Sequence, residues 1–335
     1  MKKSKANLLK KIHGGQVCQI VATTARLGLP DLLKEQPKSL DVLSNELKIE
    51  ESILARLISA LVALHLLEEE NGVYCLTEEG RHLISDHEDS IHAIAVYKGS
   101  PFLWAAHGMM CEGINNGVSP FELAYGQDLF SHLDQNSEHC AMFQNAMACY
   151  EKQSSKKILD LYDFEQLNNF LDVGGGLGNF ALTIMDKYPA VSGAVMDLPS
   201  VIKLVQDERL ALFPGNFFET IPSGFDAYVL RNILHDWSDE KCLLILKNLR
   251  KACDENSRLL IFETFYEKTH GTRLGKFSDL TMFTLTPGGK ERTKDEIAEL
   301  LEESGFTVTS TYQTTSSKSL VEANVKKLNY STLET

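Results

Sequence analysis

Residues 170–180 read Phe-Leu-Asp-Val-Gly-Gly-Gly-Leu-Gly-Asn-Phe, an apolar run that ends in an acid and a glycine cluster and then opens into a helical pattern. A strand must turn sharply into a helix there, through backbone angles that side chains disfavour. The missing Cβ atoms also let a bulky ligand approach the main chain. The segment therefore predicts an α/β unit with a nucleotide-type cofactor held at the loop. The dinucleotide fingerprint G-x-G-x-x-G is not met, because counting on from Gly174 and Gly176 the third position falls on Asn179. A nicotinamide-dependent oxidoreductase is disfavoured on that ground.

Beyond residue 156 short apolar runs alternate with helical patterns, which predicts a doubly wound parallel sheet of Rossmann-like type. Strands are expected over 169–173, 192–196, 227–230, 258–262, 307–312 and 320–323. Pro199 suits a first helical turn, Ser238 an N-cap, and Thr293 with Glu296 a capping box. The first hundred residues read differently. Helices over 41–47 and 52–66, joined at Lys48-Ile49-Glu50 and followed by a hairpin turned at Asn71-Gly72, describe a winged helix. The expected division is a winged-helix unit over 1–100, connecting helices over 101–155 and the cofactor domain over 156–335.

A winged helix can place its second helix in the major groove of DNA. Here that helix offers only Glu51, Arg56 and His65 as ionisable groups, and the wing opens with Glu68, Glu69 and Glu70. With 33 Lys and Arg against 46 Asp and Glu, a formal charge of −13, phosphate binding is disfavoured across the chain. A packing or dimerisation module is expected instead, without nucleic acid. The basic start lacks the apolar run of a secretory signal, and no stretch approaches the roughly 18 apolar residues of a membrane span. A cytoplasmic location is expected. Seven cysteines form no C-x-x-C pair and read as reduced core thiols. His82, His87 and His92 sit five residues apart, a rotation of about 140° per step on a helix, so no shared metal face is expected.

In open α/β sheets ligands bind beyond the carboxyl ends of the strands. Met196-Asp197-Leu198-Pro199 puts a carboxylate there that can accept two ribose hydroxyls while Leu198 packs on a base, although an acid at a strand end can also be a plain helix cap. Asn216 and Phe217 can offer an amide and an aromatic face to adenine. The run Arg231-Asn232-Ile233-Leu234-His235-Asp236-Trp237-Ser238 and the stretch Gly288-Gly289-Lys290-Glu291-Arg292-Thr293 complete the set.

Together these motifs, with Asp172-x-Gly174-x-Gly176-x-Gly178, resemble the plant and bacterial S-adenosylmethionine-dependent O-methyltransferases of small molecules, the group of caffeic acid, hydroxyindole and anthracycline enzymes. The resemblance spans nearly the whole chain. It implies S-adenosylmethionine as cofactor, with S-adenosylhomocysteine as product, and a homodimer formed through the winged-helix domain. It implies His235 as general base, Glu263 and Glu291 as flanking acids, and Asp236 as a further partner. Cofactor contacts are implied for Asp172, Gly174, Gly175, Gly176, Asp197, Leu198, Asn216, Phe217, Arg231 and Trp237. Asn216 stands where relatives commonly carry Asp, but an amide oxygen still accepts from an adenine amino group.

The chemistry agrees with the resemblance. Methyl transfer from a cationic sulfonium needs an oriented nucleophile stripped of its proton. A phenol has a pKa of about 10 and histidine about 6.5, and a neighbouring carboxylate raises the imidazole. Phe102, Trp104, Met109, Phe143 and Met147 are expected to receive a small aromatic acceptor, unless they only form a domain interface. N-methylation of a heteroaromatic molecule on the same fold, and a cofactor-binding regulator without catalysis, stay open as alternatives.

Overall fold

Strands buried on both faces read as continuous apolar runs, and that is how the runs of the cofactor domain fold in the computed structural model, which describes residues 3–266, 273–313 and 318–326. The chain divides into two units, residues 1–105 with 145–149 and residues 106–144 with 150–335.

In the first unit the helices Leu40–Leu47 and Glu51–Ala63 are joined at Lys48, whose φ is 56°, and precede a small sheet. That sheet consists of β1 (Lys38–Ser39), β2 (Leu67–Glu70) and β3 (Val73–Leu76) in the order β1-β3-β2. The β2–β3 hairpin turns through Asn71 at φ 52° and Gly72 at φ 81°, the paired positive angles that an Asn-Gly turn supplies. Leu43, Leu54, Ile58, Leu61, Leu67 and Leu76 form its core. Helix, turn, helix and wing are thus all present.

The second unit is built on a seven-stranded sheet. Its strands are β4 (Asn169–Val173), β5 (Ser192–Asp197), β6 (Ala211–Pro214), β7 (Ala227–Arg231), β8 (Arg258–Thr264), β9 (Phe306–Gln313) and β10 (Lys318–Val325). The order is β6-β5-β4-β7-β8-β10-β9, with core clusters of buried side chains around Leu230 and Leu246 and around Phe170 and Phe180. Two features depart from the expectation of a purely parallel sheet of six strands. β6 is an additional edge strand, short, mostly exposed and ended by Pro214. β10 runs antiparallel to both β8 and β9; against β9 it must, because the four residues between Gln313 and Lys318 are too few for the crossover that parallel pairing needs.

The glycine loop leaves β4 and enters the helix Asn179–Lys187. Ser238 caps the helix Asp239–Ala252, and Thr293 with Glu296 forms a full capping box on Lys294–Glu303. Among the described residues no helix is long and apolar enough to cross a membrane.

Candidate functional site

The carboxyl ends of β4, β5, β7 and β8 bring most of the expected residues together. In the loop after β4, Gly174, Gly176 and Gly178 take φ of 74°, 57° and 78°, which only glycine adopts freely. Space is equally tight: a Cβ on Gly174 would sit 2.5 Å from Ile233 Cδ1, and one on Gly176 would sit 2.9 Å from Gln144 Oε1. The loop is stitched to β5 by the Gly174 N–H, which donates to the Met196 carbonyl at 2.8 Å. Asp197 adds to this, accepting from the Gly176 N–H at 2.8 Å and from the Leu198 N–H at 2.7 Å.

Three ionisable groups sit under this loop. Burial, reinforced by the charge of Glu151, pushes the Asp172 carboxyl up to about 8, and Arg231 only partly opposes it. Burial also pushes Asp197 up to about 6 against the pull of its two N–H donors. Arg231 is buried, pairs with Glu151 at 3.2 Å and lies over the Phe180 ring at 4.5 Å. A cradle narrowed to bare glycine and flanked by two acids that resist ionising fits a ligand that brings positive charge, as the ammonium and sulfonium of S-adenosylmethionine would.

Aromatic groups form the next wall. Trp237 is 6% exposed and meets Phe218 at 4.8 Å, Phe130 at 5.1 Å and Phe217 at 6.1 Å between ring centres. Asn216 does not reach outward with both lone pairs, since its Oδ1 accepts from the Phe218 N–H at 3.0 Å.

His235 lies four residues beyond the end of β7, in the 3-10 turn Leu234–Asp236, rather than on a strand tip. Its Nδ1 is 3.3 Å from Glu291 Oε1 and 3.5 Å from Glu263 Oε2, while Asp236 Oδ1 stands 3.8 Å from Nε2. Burial favours the neutral ring and is the largest influence. The charges of Glu263 and Asp236 and the hydrogen bond and charge of Glu291 outweigh it together, and the imidazole is raised to about 10. Burial takes the Asp236 carboxyl up to about 7, with His235 pulling the other way. In the neutral ring, both glutamates at Nδ1 hold the remaining proton there and leave the Nε2 lone pair for chemistry.

One donor atom each from His235, Glu263 and Glu291 lie within 4.8 Å of one another, a spacing that could also hold a divalent ion. One oxygen of each glutamate is already engaged. Glu263 Oε1 accepts from the N–H groups of Ile233 and Leu234, and Glu291 Oε1 accepts from the Ser278 hydroxyl at 2.5 Å as well as facing His235.

The expected acceptor residues do not form one cluster within either unit. Phe102 is a core residue of the first unit beside Tyr97, and Trp104 there donates its indole N–H to the Lys98 carbonyl. Met147 is half-buried and falls in the stretch grouped with that unit. In the second unit Met109 precedes the helix Met110–Asn116, and Phe143 packs edge-on against Phe130. Sequence reasoning missed Glu151, Gln144, Phe130, Ser278 and Asp279, whose carboxylate receives the Glu291 N–H at 3.0 Å. It also quoted Arg292 only as part of a motif.

Comparison with known proteins gives this geometry a family context. The profile described as O-methyltransferase domain matches residues 107–307, and the one described as O-methyltransferase dimerisation domain matches residues 9–86. The chain is 30% identical over 325 residues to a phenazine O-methyltransferase of Lysobacter antibioticus, covering 94% of this chain and 95% of that protein. It is also 30% identical over 306 residues to an 8-amino-8-demethylriboflavin N,N-dimethyltransferase of Streptomyces davaonensis, covering 88% and 87%. The crystal structure of LaPhzM superposes with a TM-score of 0.91 at 30% identity, covering 96% of this chain and 99% of that one.

Proposed function

The chain belongs to the S-adenosylmethionine-dependent O-methyltransferases of small molecules, and from that premise we propose that it methylates a hydroxyl of a small aromatic acceptor with His235 as the general base. The observation that carries this reading is the seating of His235 Nδ1 between Glu263 and Glu291, which leaves Nε2 to take the acceptor's proton.

Asp172, Gly174, Gly175, Gly176, Asp197, Leu198, Asn216, Phe217, Arg231 and Trp237 would hold the cofactor. When bound, it supplies a methyl group on a sulfonium centre. Everything else falls to the chain. Glu263 and Glu291 stabilise the imidazolium formed when Nε2 takes the proton, and Asp236 adds to that field. Raising the imidazole to about 10 brings it level with a phenol, so the proton crosses without a steep uphill step. Trp237 and its aromatic neighbours keep water from the reacting atoms. Met109 and Phe143, in the same unit as His235, are proposed to contact the acceptor. The enzyme is proposed to act as a homodimer in the cytoplasm, where its seven free thiols would stay reduced.

His235→Gln is expected to lower turnover by about 10²- to 10⁴-fold, the usual worth of a positioned base, while calorimetry shows unchanged affinity for S-adenosylmethionine. Undiminished turnover would remove His235 from the proton transfer. A panel of phenols, catechols, indoles and aromatic amines, read by mass spectrometry, identifies the acceptor. It also separates O-methylation from the N-methylation that the riboflavin-type relative makes a live alternative.

A further inference from the structure

The turn that carries His235 has little structure of its own. Leu234–Asp236 is a single 3-10 turn, entered through Asn232 at φ 53°. Its register must come from elsewhere in the fold. On the entry side the supplier is Glu263, whose Oε1 accepts from the N–H groups of Ile233 at 3.1 Å and Leu234 at 2.9 Å. On the exit side it is Arg292. That guanidinium is buried, its side chain 1% exposed, and donates from Nη1 to the Leu234 carbonyl at 2.5 Å and from Nη2 to the Trp237 carbonyl at 2.7 Å. Its Nε donates to Asp239 Oδ1 at 2.8 Å. The backbone beside it joins in, since the Lys290 N–H donates to the His235 carbonyl at 2.9 Å. A Cβ on Gly289 would run into that same carbonyl and into Thr286 Oγ1, so the two segments meet with no room to spare.

A guanidinium buried this deeply is tolerated only when its donors are used, and here they are spent on the main chain either side of the base. The planar fork suits the task. A lysine ammonium keeps the charge but cannot span the two carbonyls and Asp239 in one rigid plane.

We propose that Arg292 is a positioning residue for the general base, fixing the carbonyls that bracket His235 so that the imidazole stays against Glu263 and Glu291. The inference rests on the reading of His235 as the base, and its test has a readout that does not depend on turnover. In the protein without cofactor, the His235 imidazole signal, assigned by its loss in His235→Gln, is titrated by NMR in the native chain and in Arg292→Lys. The lysine variant is expected to lower the His235 midpoint by about one unit or more, toward the ordinary value of about 6.5. It should also lower kcat by about tenfold, a smaller loss than the roughly 100-fold that a misplacement of about 1 Å can cost. A folded Arg292→Lys with the native midpoint overturns the proposal, because a merely stabilising role would move the melting temperature alone. Should Arg292→Lys fail to fold, Asp239→Asn decides: its exposed carboxylate aims the guanidinium, and a lowered midpoint supports the proposal while a native one overturns it. Full turnover in His235→Gln would instead sink the base assignment and leave the titration result standing.

Discussion

At the scale of single residues the site is a contest between burial and charge, and His235 shows which wins. Three carboxylates hold its imidazole at about 10 against the desolvation that would lower it. A base must be neutral to accept a proton, and below its pKa the neutral fraction grows tenfold with each pH unit. The rate with a phenolic acceptor is therefore expected to climb by about tenfold per unit between pH 7 and 9. Ionisation of the acceptor adds a slope of its own, so His235→Gln, measured alongside, isolates that part. A flat native profile would mean that the imidazole titrates well below this range or takes no proton. The sequence singled out His235 and Glu263 because both stand at or just beyond a strand end, where the fold class puts ligands, whereas Glu291, in the loop between the helices Arg273–Leu285 and Lys294–Glu303, was singled out only by the family resemblance of its Gly-Gly-Lys-Glu-Arg-Thr motif. Ser278, Asp279 and Glu151 could not be read in either way. They act on Glu291 and Arg231 from helices whose own pattern carries no chemical signal, and nothing in their spacing announces the contact.

The elements tell a similar story of local signals succeeding where one interaction dominates. Turn chemistry was legible: Asn71-Gly72, the capping box at Thr293 and the glycine loop all folded as their residues demand. β4, β5, β7 and β8 were legible because burial on both faces forces continuous apolar runs. β6 was not, because an exposed edge strand of four residues needs no such run, and the direction of β10 against β9 follows from connection length rather than from composition. The loop offers a direct check of the backbone argument. Gly178 at φ 78° caps the helix Asn179–Lys187, and a Cβ there would press on Leu210 Cδ1 and stand 3.2 Å from Val195 Cγ2. Gly178→Ala is expected to destabilise the protein by about 1–3 kcal/mol, the usual cost of holding a side chain in the left-handed region. Urea unfolding measures it, and an unchanged midpoint would show that the loop can be built without the positive angle.

For the whole molecule the open question is what covers the apolar side chains that the first unit leaves in water. The helix Lys3–Ile12 buries none of its residues, yet Leu8 and Ile12, one turn apart, are 58% and 66% exposed, and Ile53 on the helix Glu51–Ala63 is 52% exposed. These positions lie in or beside the stretch that matches the dimerisation domain. Burying such side chains against a second copy would contribute about 25 cal/mol for each Å² of apolar surface removed. Charge opposes the association, since each chain carries a formal −13 and like charges repel over a Debye length of about 8 Å at physiological salt. Light scattering is therefore expected to find a homodimer whose dissociation constant falls as salt rises. Ile12→Glu combined with Ile53→Glu should yield monomers, by removing apolar contact and adding charge at the same surface. A native chain that stays monomeric at micromolar concentration in high salt would overturn the homodimer, and a dimer indifferent to both substitutions would place its interface elsewhere.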